Sequence, residues 1–153
     1  MKNTLFLGFK GKNNSSNLLV SSLSAQSFFL TNSFTGLKKD IEDLSPDYTE
    51  VYLFGVNKDL SDSFGIECFA EKDGKRLRSN LDPEELKKRF ASCGINADIS
   101  HVPSKYLCNE AFWYLLEKYQ GNAVLIHIPT IKNFNEEWVS SVRNAMKITE
   151  NGK

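Results

Sequence analysis

Cysteine, histidine and proline are all scarce in this chain of 153 residues. It has three cysteines, two histidines and four prolines. The cysteines are Cys68, Cys93 and Cys108, an odd number without the paired spacing typical of a metal site, so they predict neither a disulfide framework nor a structural metal. We therefore expect a reducing, cytoplasmic setting and no cofactor.

The chain also lacks an excess of either charge and any long apolar run. Nineteen basic residues balance nineteen acidic ones, and no basic stripe follows a predicted face, so neither nucleic acid nor a membrane surface is expected as the main partner. No apolar stretch is long enough to span a bilayer, and the N-terminus lacks the features of a signal peptide. The length fits a single domain over residues 1–153.

Short apolar runs alternate with amphipathic segments along the sequence. This alternation favours an α/β fold with a mostly parallel sheet and helices on both faces. The C-terminal tail, residues 149–153, is expected to fray. The predicted strands cover residues 4–9, 26–30, 50–56, 64–70, 97–102 and 123–127, and the predicted helices cover residues 16–23, 36–44, 83–93, 106–120 and 135–147.

One cysteine and one histidine fall at the same edge of this predicted sheet. Cys108 lies in the first turn of a helix, and His127 closes the apolar strand at 123–127. Sites in open α/β sheets form at the carboxyl ends of strands. A helix N-terminus and a neighbouring imidazolium both stabilise a thiolate, the attacking form of cysteine. The pair predicts a cysteine hydrolase, against the alternative that both are buried structural residues.

A catalytic imidazole also needs a group that orients it and offsets its charge. Glu67 is the candidate, because it lies among apolar residues of a predicted strand, where an unpaired carboxylate is costly to bury. The alternative is that Glu67 faces solvent from an edge strand. His101 is a competing imidazole close to Cys108 in sequence, and His127 is favoured over it.

These residues resemble the motifs of the pyroglutamyl peptidase I family, also called pyrrolidone-carboxylate peptidases. The likeness runs from about residue 4 to residue 145, and the order Glu, Cys, His is the family's order. The nucleophile and histidine motifs are the specific ones. The matching segments are Leu7-Gly8-Phe9, Asn14-Ser15-Ser16, Phe64-Gly65-Ile66-Glu67, Tyr106-Leu107-Cys108-Asn109 and Ile126-His127-Ile128-Pro129.

The resemblance implies a three-layer α/β/α sandwich and a cysteine peptidase that removes an N-terminal pyroglutamyl group from peptides or small amides. By the same resemblance Cys108 is the nucleophile, His127 the general base and acid, and Glu67 the group that orients His127. His101 aligns with a position that has no catalytic role. Family members associate, so a homo-oligomer is a further expectation.

The resemblance also implies contacts to the pyrrolidone ring. Phe9 and Leu107 would line its apolar slot, and Asn14 would meet the lactam.

The chain resembles a shortened and divergent member of the family, and its departures from the family pattern keep other readings open. The loop at residues 10–13 carries no second aromatic wall, and the turn at residues 57–61 has no arginine, although Lys58 could partly substitute. Two alternatives follow: a catalytically weakened binding or interaction protein on the same fold, and a cysteine amidase acting on a different small acyl group.

Overall fold

A six-stranded sheet forms the centre of the fold in the computed structural model, which describes residues 2–148. Its strand order is β2-β1-β3-β8-β4-β7, and every neighbouring pair is parallel except β4 with β8. The predicted mostly parallel sheet is therefore confirmed. Within the described residues the eight strands are β1 (Thr4–Phe9), β2 (Ser27–Leu30), β3 (Glu50–Val56), β4 (Phe64–Glu67), β5 (Phe69–Lys72), β6 (Lys75–Arg78), β7 (Ala97–Ser100) and β8 (Ala123–Ile128).

Helices cover both faces of this sheet and complete three layers. One face carries α2 and α4, which pack against each other, and the other carries α1, α3 and α5. A short 3-10 turn, Ile131–Asn133, precedes the last helix. The helices are α1 (Ser15–Ser22), α2 (Phe34–Asp43), α3 (Pro83–Ser92), α4 (Tyr106–Lys118) and α5 (Glu137–Ala145).

The central strand β3 explains why the sheet has two buried faces. Its residues alternate between the two cores: Val51 and Leu53 pack with α2 and α4, whereas Tyr52 and Phe54 pack on the other side. Continuous apolar strands of this kind are typical of parallel sheets that are covered on both faces. Truncating Leu53 or Phe54, both fully buried, would cost about 2–5 kcal/mol.

Helix α3 begins at its predicted residue, and α1 begins at Ser15, one residue before its predicted start; both have a side-chain cap. The side chain of Asn14 accepts hydrogen bonds from the backbone N–H groups of Ser16 and Asn17 at the start of α1. Asp82 caps α3 in the same way, and Pro83 occupies the first helical position.

The predicted strand 64–70 is in fact two strands in different sheets. β4 ends at Glu67, opposite Leu125 of β8, and the chain leaves the central sheet at Cys68. β5 then pairs antiparallel with β6 around Asp73 and Gly74, whose φ angles are both positive, as a tight hairpin turn requires. The difference matters because this hairpin contacts α4.

The predicted fraying of residues 149–153 lies outside the described residues. Within residues 2–148, no helix has the length and apolar character needed to cross a membrane.

Candidate active site

His127 and Glu67 form a buried pair on adjacent strands. His127 is on β8, and Glu67 is two residues beyond its β4 register partner, so both side chains project from the same face of the sheet. They are 5% and 6% exposed. His127 Nδ1 lies 3.2 Å from Glu67 Oε2. Because a carboxylate only accepts, Nδ1 donates this hydrogen bond and Nε2 faces the opposite direction.

Cys108 approaches the same imidazole from the helix layer. It is the third residue of α4, on the face of the sheet that also carries His127. A side-chain carbon placed on Gly55 would lie 2.7 Å from Cys108 Sγ and 3.6 Å from His127 Nε2, so sulfur and ring nitrogen converge above Gly55. Sequence analysis predicted that these three residues lie close together, and in the structure they do.

The proton on His127 is held more firmly than on an ordinary imidazole. Burial alone would lower the pKa, but hydrogen bonds to Cys108 and Glu67, together with their charges, outweigh it and raise the pKa of His127 to about 9. Both partners therefore favour the protonated, imidazolium form of the ring. A cation between a thiol and a carboxylate stabilises the thiolate form of the cysteine.

The β5–β6 hairpin fixes the first turns of α4 against the sheet. The Asn109 carboxamide accepts a hydrogen bond from the backbone N–H of Glu71 at 3.1 Å and donates one to its carbonyl at 2.7 Å. Lys72 pairs with Glu110 at 2.7 Å. β5 begins one residue after Glu67. The segment that carries the Glu67 carboxylate therefore continues directly into the strand that holds the Cys108 helix in place.

The start of α4 is open to solvent and to ligands. Lys105 precedes the helix without giving it a side-chain cap, which leaves backbone N–H groups of the first turn without a capping side chain. Tyr106 is 79% exposed and has a φ of 61°, an unusual conformation for an aromatic residue that costs about 1–3 kcal/mol. Such strain often accompanies functional sites.

A cavity of about 500 Å³ opens beside Cys108 and His127. Its walls come from Val56 at the end of β3, from residues 57–59 that follow it, and from the segment between β7 and α4. Glu67 is also among its lining residues. Several of the other lining side chains are polar or charged: Asn57, Lys58, Asp59, Ser100, Ser104 and Lys105.

The three predicted ring-binding residues do not line this cavity. Phe9 is 4% exposed and packs in the core near Leu30. The Asn14 carboxamide oxygen is occupied by the capping of α1. Leu107 is half-buried and packs against the core beneath α4. The role that the resemblance implies for them remains a prediction. His101 is exposed and also lies outside the cavity lining.

Sequence reasoning missed Gly55 and Gly65, the register partners of His127 on its two sides. A glycine inside a strand usually marks a close approach by another group, and that signal was present in the sequence. A second cavity, of about 350 Å³, lies at the opposite edge of the sheet near Tyr52 and Arg89, and none of the three site residues lines it.

The fold is that of the pyrrolidone carboxyl peptidases. The enzyme from Thermococcus litoralis superposes with a TM-score of 0.77 at 19% identity, over 96% of this chain and 92% of the other. The Thermus thermophilus enzyme gives 0.76 at 19% identity, over 94% and 98%. The Bacillus amyloliquefaciens pyroglutamyl peptidase I gives 0.77 at 14% identity, over 95% and 98%.

The TM-scores establish a shared fold, and at identities this low they establish the fold alone. The resemblance predicted from the sequence motifs is confirmed at that level, as is the predicted α/β/α sandwich. No protein-family model matches the chain, and no curated protein sequence does.

Proposed function

We propose that the chain is a cysteine peptidase of the pyroglutamyl-peptidase type, which removes an N-terminal pyroglutamyl or similar small acyl group from a peptide. One observation carries this proposal: a single buried imidazole is paired with the Glu67 carboxylate through Nδ1, while its Nε2 and the Cys108 sulfur converge above Gly55. The shared fold supports it.

The reaction uses the His127 ring between its two partners, Cys108 beside Nε2 and Glu67 at Nδ1. The Cys108 thiolate attacks the acyl carbon and forms a C–S bond. His127 gives its proton to the departing amine as the C–N bond breaks, which leaves a thioester. Water then attacks the thioester carbon and loses a proton to His127, and the thiolate leaves as the acid is released.

The negative charge that develops on the acyl oxygen needs donors close to the sulfur. The backbone N–H of Cys108, in the uncapped first turn of α4, is one such donor. Lys58 lines the same cavity and carries a positive charge. Each oxyanion donor typically contributes ~100- to 1000-fold in rate.

The test is hydrolysis of a fluorogenic pyroglutamyl amide by the parent chain and by Cys108→Ala. We expect activity in the parent and its loss in the variant. Cys93→Ala is the matched control, because Cys93 caps the far end of α3 and lies outside the cavity lining. Equal activity in parent and Cys108→Ala, or no activity in either, would remove support for this function.

The polar cavity lining favours one second candidate, an amidase for a different small acyl group. Lys58 and Lys105 line the cavity beside Cys108, whereas Phe9 is packed in the core. A panel of acyl amides that differ in charge and size, assayed with parent and Cys108→Ala, separates the two. Cys108-dependent cleavage of another acyl amide in preference to the pyroglutamyl amide would select the second candidate.

A further inference from the structure

His127 occupies an unusual place in the sheet. In a fully paired sheet, each residue has two cross-strand neighbours whose side chains share its face, at Cβ separations of about 5 Å. The neighbours of His127 are Gly55 on β3 and Gly65 on β4. Neither cross-strand neighbour therefore places a side chain beside the imidazole.

The space above Gly55 and the space above Gly65 are filled differently. A carbon on Gly55 would stand 2.7 Å from Cys108 Sγ, closer than any real side-chain contact. A carbon on Gly65 would meet His127 Cβ at 3.7 Å and Glu67 Oε2 at 3.9 Å, which is ordinary van der Waals contact. A side chain is therefore excluded at position 55 but not at position 65.

We propose that Gly55 is a positioning residue: the absence of a side chain there gives the Cys108 sulfur its place against His127. Its consequence for catalysis rests on the proposed function, whereas its effect on the contact between sulfur and ring does not.

Backbone conformation offers no competing reason for glycine at this position. Gly55 lies in the regular strand β3, and it does not share the positive φ that Gly11, Gly74, Gly94 and Gly121 have within residues 2–148. Glycine weakens a strand interior, so its presence needs another cause. The sulfur lies where the side chain would be, and it is the nearest atom to that position.

The same geometry predicts how an alanine would be accommodated. Cys108 Sγ is attached by one rotatable bond, so it can turn to another rotamer and leave the space above residue 55. The ring of His127 need not move, because its nearest atom would be 3.4 Å from the new carbon. The fold should survive Gly55→Ala while the contact between sulfur and imidazole is lost.

The experiment compares Gly55→Ala with the matched control Gly65→Ala. We expect kcat/KM to fall about 100-fold or more for Gly55→Ala, mainly in kcat, because proton transfer between the two side chains contributes ~100- to 10,000-fold. For Gly65→Ala we expect less than about tenfold. Equal losses in the two variants would overturn the proposal.

A direct readout is the NMR titration of the His127 ring, which needs no substrate. The chain has only two histidines, so the two ring signals are readily told apart. The hydrogen bond to Cys108 is the largest influence that raises the pKa of His127, so Gly55→Ala should lower that pKa and Gly65→Ala should change it less. An unchanged pKa in Gly55→Ala would overturn the proposal.

A double variant covers the case in which Gly55→Ala is unstable. In the Cys108→Ala background the sulfur is gone, so the added methyl group has room. The loss of Tm caused by Gly55→Ala should therefore be smaller in that background than in the parent. A loss of Tm that is as large in both backgrounds would show that the sulfur is not what the glycine accommodates.

These readouts separate this proposal from the proposed function. If neither parent nor variants hydrolyse any acyl amide, the function fails, while the titration and the double variant still decide the role of Gly55.

Discussion

The charge held on His127 should make the stability of the chain depend on pH. The pKa of His127 is raised from 6.5 to about 9 in the folded chain. A raised pKa contributes stability that is fully present below pH 6.5 and is lost as the pH rises through 9. At about 1.36 kcal/mol per pH unit, that interval corresponds to an upper limit of about 3 kcal/mol, because part of the rise comes from the charge on Cys108 and the two groups titrate together. The side chain is only 7% exposed, so solvent screens little of it.

The perturbation is His127→Asn, which keeps an N–H that can face Glu67 but takes up no proton. The assay is urea unfolding of parent and variant under reducing conditions, from about pH 6 to about pH 10. We expect the free energy of unfolding of the parent to fall more than that of the variant over this window, by up to about 3 kcal/mol. Parallel pH profiles would refute the claim that folding stabilises the imidazolium.

Two other predictions concern the partners of the site. Glu67→Gln should lower the pKa of His127 in an NMR titration, and should reduce kcat by roughly tenfold or more, because an orienting carboxylate contributes up to ~10,000-fold in comparable triads. An unaltered titration would contradict the geometry of the pair. Asn109→Ala removes two hydrogen bonds between α4 and β5, and urea unfolding should show a loss of about 1–3 kcal/mol in the free energy of unfolding. Ser92→Ala, on the exposed end of α3, is the control. Equal losses in the two variants would argue that the hydrogen bonds between Asn109 and Glu71 do not hold α4 in place.

Much of the architecture could be predicted from the sequence because its signals are local. β3 is a continuous apolar run, and its predicted bounds, residues 50–56, agree with those in the structure. Asp82 and Pro83 set the start of α3 by capping and by a fixed φ. The split of residues 64–70 was missed, because the end of β4 is set by its pairing with β8 rather than by its own residues. The two-stranded sheet around the Asp73-Gly74 turn was missed as well.

The site was predicted only in part, for a physical reason. Cys108, His127 and Glu67 each carry a chemical signal in their residue type, and strand and helix ends limit where such groups can meet. The walls of the cavity depend on how loops pack in three dimensions. The motif around Phe9 implies a contact with the pyrrolidone ring, but the motif alone could not show that this side chain packs in the core. The reason for a glycine at position 55 likewise depends on the three-dimensional position of the Cys108 sulfur above it.

The central claim, that His127 activates the Cys108 thiol, can be tested most directly by peptide-resolved alkylation at pH 7. The chain is treated briefly with iodoacetamide, and modification of Cys108 is compared with that of Cys93, in the parent and in His127→Asn. The account predicts that Cys108 reacts at least about tenfold faster than Cys93 in the parent and loses this advantage in the variant. Equal rates at the two cysteines, or an advantage that survives the loss of the imidazole, would contradict the claim and favour a binding protein on the same fold.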